Sequence, residues 1–174
     1  MSKMDYIAER VAKLVATHGT RDPFVICKNL KVFIMYQEMD TSIKAFYFSY
    51  GDSSRIVLNT AIDETLYPTL VAHELGHHLE HRSISLANSF KEFELYSSQV
   101  PVEYEANLFA AELLVSDDEV VELLNDEESS FYRTAWELGI PAELLDFKFR
   151  LLMHKGYRIT PLYLANSNFL KRKL

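Results

Sequence analysis

The residues able to do chemistry gather in His73-Glu74-Leu75-Gly76-His77, an H-E-x-x-H pattern. On an α-helix, positions four apart lie on one face about a turn from each other, so His73 and His77 can aim ring nitrogens at a single ion. Glu74, one step round the helix, then stands beside the ion without binding it. That is where a general base can take a proton from a water activated by the metal. The flanks suit a helix: Leu70-Val71-Ala72 precedes the pattern and Leu79 follows. Gly76 costs such a helix about 1 kcal/mol against alanine, which is tolerable if close packing at the site leaves no room for a side chain.

Two histidines do not complete a catalytic zinc site, which needs three protein ligands and an open position. His81 follows four residues after His77, but a straight helix carries it away from the ion. The longer pattern H-E-x-x-H-x-x-G-x-x-H fails, since Glu80 stands in place of glycine and Ser83 in place of the third histidine. A carboxylate from a second helix is the other solution. The segment from Val102 to Leu114 offers both Glu103 and Glu105 in its first turns, and by spacing alone either could reach an ion.

Here the chain resembles the ImmA/IrrE metallopeptidases of bacteria and their mobile elements, which pair an H-E-L-G-H helix with a downstream E-A-N-x-F-A-A-x-L-L helix. The matching residues are His73 to His77 and Glu105-Ala106-Asn107-Leu108-Phe109-Ala110-Ala111-Glu112-Leu113-Leu114. With the strand-like Arg55–Asn59 ahead of them, the likeness covers roughly residues 20 to 115. It implies an α+β, zincin-like minimal metallopeptidase, with a small antiparallel sheet, the H-E-x-x-H helix, a glutamate-ligand helix and C-terminal helices. It selects Glu105 as third ligand beside His73 and His77, with Glu74 as catalytic base and Zn2+ as cofactor; by ligand type, manganese or iron would also fit. It further implies a protein substrate, a helix-turn-helix repressor of a prophage or conjugative element whose cleavage relieves repression. The alternative is a non-proteolytic regulator that keeps the zinc fold and docks a partner; it has no need of Glu74. If Glu105 faces the metal, Glu112 lies two turns on along the same face and could accept a hydrogen bond from a ligating histidine. Tyr96, Tyr104, His81 and His154 are candidate donors to the developing oxyanion.

The elements that must position these groups can be read in outline. At 174 residues the chain suits one domain over 1–174, with a core over about 20–115 and a helical region over about 116–174. Helices are predicted from Asp5 to about Thr17, from Pro23 to about Asn29, from Thr65 to about His81, and from Pro101 to about Val115. Strands are predicted at 32–36, 43–50 and 55–59, with a hairpin at 51–54, and Arg55–Asn59 is the expected free edge for an extended substrate. Residues 82–100 read as a long irregular loop. Ser116-Asp117-Asp118-Glu119 is a capping box opening another helix. Residues 131–152 read as two helices in tandem, an ordinary helical hairpin before a DNA-binding one.

Composition excludes several classes. A lone cysteine, Cys27, sits among apolar residues and reads as core. No leader-like apolar run opens the sequence and none reaches membrane-spanning length, so a cytoplasmic location is expected. The net charge is −7, yet residues 148–174 hold seven of the 18 basic residues and none of the 25 acidic ones. The expected reading is a solvated basic tail on an acidic body. The overall acidity argues against direct nucleic-acid binding.

Overall fold

The computed structural model describes residues 1–80, 100–126, 129–162 and 170. The long loop expected at 82–100 therefore falls almost wholly outside the described residues, as do His81 and Tyr96.

Helix α1 (Lys3–His18) opens on a capping box in which Ser2 and Asp5 satisfy each other's backbone N–H groups. Helix α2 (Pro23–Asn29) has Asp22 as N-cap and proline in its first position. Strands β1 (Val32–Gln37), β2 (Ala45–Tyr50) and β3 (Ser53–Asn59) follow. A single 3-10 turn (Glu64–Leu66), started by the Asp63 side chain, leads into α3 (Tyr67–Glu80). Then come α4 (Val100–Leu114), α5 (Asp117–Leu124), α6 (Phe131–Glu137) and α7 (Ala142–His154).

The sheet departs from expectation in two respects. Its order is β1-β3-β2, with β1 parallel to β3 and β2 antiparallel to it, so the sheet is mixed and not wholly antiparallel. β3 is therefore the central strand, and Arg55–Asn59 is not an edge. The run Ile56-Val57-Leu58 is buried throughout, as a strand paired on both sides allows. Among the described residues, the free edges belong to β1 and β2. The β2–β3 hairpin turns through Gly51-Asp52 alone, with Gly51 at φ 57°, a conformation that a Cβ would strain.

Because β1 and β2 lie on opposite sides of β3, the connection 38–44 must cross the end of the central strand. Asn59 stitches that crossing. Its carboxamide donates to the carbonyls of Met39, Asp40 and Ile43 and accepts from the N–H groups of Met39 and Ala61. Its own carbonyl accepts from the Tyr67 hydroxyl, so the crossing is also tied to the first turn of α3.

The main core lies between the inner face of the sheet and the helices α1 to α4 and α7, with Ile7, Val11, Ile26, Cys27, Ile56, Leu58, Leu70, Leu75, Phe109 and Phe147 fully buried. A second apolar cluster, built on Val120, Ala135, Leu145, Phe149 and Leu152, holds α5, α6 and α7 together. Arg10 on α1 clamps the end of α3, pairing with the Glu80 carboxylate and donating to the Leu79 carbonyl. Among the described residues no helix is long and apolar enough to cross a membrane.

Candidate metal centre

His73 and His77 are both buried on α3, their Nε2 atoms 3.1 Å apart and their rings nearly perpendicular. Helix α4 crosses α3 closely because Gly76 faces it. A Cβ on Gly76 would stand 3.2 Å from Phe109 Cδ1 and 3.3 Å from Ala106 Cα, tighter than ordinary contact. The absent side chain expected from the sequence is thus what lets the second helix approach.

The approach delivers a carboxylate, and it is Glu103. Its Oε2 lies 3.3 Å from His73 Nε2 and its Oε1 lies 3.5 Å from His77 Nε2, with only 1% of the side chain exposed. His73, His77 and Glu103 form the group of potential ligands that converges among the described residues. Glu105, chosen from the family pattern, is elsewhere: its carboxylate pairs with Lys3 of α1 at 2.9 Å. Helical geometry gives the reason. Two residues along a helix turn the side chain by about 200°, so Glu103 and Glu105 face opposite ways. Ala106, whose backbone meets Gly76, lies three residues after Glu103 and shares its face. So does Asn107, fully buried one turn beyond Glu103 and given no role by the sequence reading.

The expectation that Glu112 shares a face with Glu105 holds, but that face does not meet the histidines. Glu112 accepts from Lys148 at 2.7 Å and from Lys155 at 2.6 Å, and both lysines also reach Asp117. The basic C-terminal stretch is correspondingly not all solvated tail. Lys148 and Arg150 are buried, Arg150 pairing with Asp146 and lying over the Phe147 ring. Neither is presented to a nucleic acid. Of the oxyanion candidates described, Tyr104 packs edge-on against Phe147, and His154 bonds Ser2 and Asp5 at the start of α1. Asp5 is drawn down to about 2 by those partners, chiefly the Ser2 backbone N–H and hydroxyl.

The donor set fits a metal ion. Ligand atoms about 2.0–2.2 Å from a tetrahedral ion stand about 3.3–3.6 Å apart, close to the separations among the two Nε2 atoms and the Glu103 oxygens. Burial opposes charge on Glu103. Hydrogen bonds from both histidines and their attraction outweigh it, holding the carboxyl well below the usual range and ready to act as a ligand. Glu74 is buried on the same helix, next to His73. On the sheet side, Tyr47 of β2 hydrogen-bonds His78 Nδ1 at 2.9 Å, which fixes an edge strand against the helix that carries the histidines.

Comparison with known proteins settles the family. The model of the IrrE N-terminal-like domain, the Peptidase_M78 family, matches residues 27–150. The chain belongs to that family. It is also similar to the metallopeptidase ImmA of Bacillus subtilis (strain 168), with 27% identity over 147 residues, covering 82% of this chain and 83% of the relative. A second relative, "Uncharacterized immunity region protein 2" of Bacillus phage phi105, is 30% identical over 144 residues, covering 82% and 88%. The family match spans the sheet, the motif helix and the Glu103 helix and reaches into α7. The ImmA/IrrE resemblance read from the two helix motifs is therefore correct, as is the α+β zincin-like class.

Proposed function

We propose that this member of the IrrE N-terminal-like family is a cytoplasmic zinc-dependent endopeptidase, with His73, His77 and Glu103 as metal ligands and Glu74 as general base. The observation that carries the reading is the convergence of three buried donors at tetrahedral separations, on the helix that also bears Glu74. Zinc in such a set lowers the pKa of water toward about 7 and polarises a carbonyl oxygen. Glu74 takes the proton from the attacking water and passes it to the departing amine. Glu103, itself buried, would supply negative charge that offsets the cation.

The substrate is a protein held extended along the β2 edge, the free edge fastened to α3 by the Tyr47–His78 hydrogen bond. Its class is a helix-turn-helix repressor of a mobile element, cut to relieve repression. Similarity to a metallopeptidase and to a phage immunity-region protein supports that choice.

The test incubates the zinc-loaded protein with the repressor encoded beside its gene and follows intact mass for wild type and Glu74→Gln. Discrete fragments are expected from wild type, with Glu74→Gln slower by about 10²–10⁴, the range that a general acid–base group supplies. Zinc content should be equal in the two proteins. A stable complex without fragments from either protein would replace the peptidase with a docking regulator.

A further inference from the structure

The face of α6 turned away from the second apolar cluster carries the chain's only tryptophan. Trp136 is 80% exposed and Tyr132, one turn before it, is 62% exposed. Phe131, Ala135 and Leu138 turn inward to the cluster, so Tyr132 and Trp136 are surplus to the packing of α6. Rings of this size left in water on one helix face are the kind of feature that marks an interaction surface.

The surroundings define what it would bind. Residues 117–137 contain eight Asp/Glu and one Lys/Arg, so this stretch alone carries as much negative charge as the whole chain's net −7. Asp118 and Glu122 are exposed on α5. Asp126, at the end of that helix, lies 3.7 Å from Arg133 on α6, which joins the acidic flank to the aromatic face. Arg133, the one cation, is also matched by Glu137 at 2.8 Å. An exposed indole and phenol on a helix joined to an acidic neighbour favour a cation over a ring face, with further cations on the exposed acids of α5. They disfavour an acidic peptide and the phosphates of a nucleic acid.

We propose that the outer face of α6 and the acidic flank of α5 form a docking surface for a basic helical segment of a partner protein. A repressor presents such a segment in the face that contacts DNA phosphates. Only this naming of the partner rests on the repressor-cleaving reading; the docking chemistry stands apart from it. Engaged there, the substrate is held by a surface separate from the metal ligands and is occupied on the face that would otherwise bind operator DNA.

The experiment uses the full chain with Glu74→Gln, so that nothing is cut. The probe is a labelled amphipathic helical peptide rich in Lys and Arg, and the control is the same peptide with glutamates in their place. Trp136 is the only indole, so its emission should shift and saturate with the basic peptide, and the affinity should fall as salt is raised. Read by anisotropy of the label, Tyr132→Ala/Trp136→Ala and Asp118→Lys/Glu122→Lys should each weaken binding about tenfold or more. Far-UV circular dichroism and zinc affinity should stay unchanged, since all four residues are exposed.

Equal binding of the acidic control, or unchanged affinity in both double variants, would overturn the proposal. Self-association abolished by Trp136→Ala, without peptide binding, would overturn it in favour of a second copy. If Trp136→Ala in the otherwise wild-type enzyme cuts the repressor at the normal rate and the peptide does not bind, docking fails and the peptidase stands. If the peptide binds while wild type cuts nothing, docking stands and the peptidase fails.

Discussion

At the scale of single residues, the third ligand is where sequence and structure part. Glu103→Gln is expected to lower zinc affinity by more than the roughly 10- to 100-fold that loss of a ligand's hydrogen-bond partner costs. Glu105→Gln should leave zinc affinity within a few-fold, and its partly exposed ion pair with Lys3 is worth about 0–1 kcal/mol. Competition against a chromophoric chelator reads both, and equal losses would count against the assignment of Glu103. The placing of the two histidines side by side, with Glu74 on the same helix, was legible because it depends on spacing within one helix. The choice between two glutamates was not, because it depends on which side of α4 meets α3. The signal was nonetheless present: Ala106 and Ala110 make a stripe of small side chains, and the carboxylate three residues before Ala106 shares that stripe whereas Glu105 does not. A motif read as a string of letters carries no such face.

At the scale of elements, the close crossing of α3 and α4 sets the site. Gly76→Ala gains about 1 kcal/mol of helix propensity but places a Cβ against Phe109 and the Ala106 backbone. Overpacking of this kind costs about 1–3 kcal/mol, so a net loss of up to about 2 kcal/mol is expected in urea unfolding of the metal-free protein. Zinc affinity should fall with it, because the ligand pair and Glu103 are drawn apart. Unchanged affinity would mean that the crossing has slack. Helix existence was readable throughout, from the capping box at Ser116 and the apolar stripes. Strand pairing was not, since β-rich segments state their faces and not their neighbours. The unbroken Ile56-Val57-Leu58 run was the clue that β3 is enclosed on both sides.

At the scale of the molecule, charge buried between α4, α5 and α7 couples the C-terminal helices to the helix that carries Glu103. Lys148, with no exposure, holds Glu112 and Asp117. Removal of one partner from a buried pair costs about 3–5 kcal/mol, but Lys155 also reaches both acids. Lys148→Met should therefore destabilise by about 2–3 kcal/mol in denaturant titration, and a loss below about 0.5 kcal/mol would show the pair to be dispensable. Burial pushes the Cys27 thiol up to about 12, with Asp22 adding to the effect. An acid whose folded pKa is raised stabilises the fold below its unfolded pKa, and that contribution is lost as pH climbs toward the folded value. Cys27→Ala should therefore flatten the fall in stability between about pH 8.5 and 12, whatever it costs at neutral pH.

The place of β3 between its partners also orders events in time. β1 and β2 never pair with each other, so the sheet cannot close until the last of its strands has left the ribosome. The β2–β3 hairpin is local and can form within microseconds, whereas the parallel join to β1 must wait for the 38–44 crossing to be laid over Asn59. Glu103 enters later still, from well beyond the histidines. During synthesis, His73 and His77 thus stand as an incomplete pair, and the proposed metal centre cannot assemble until the second half of the chain has folded against the first.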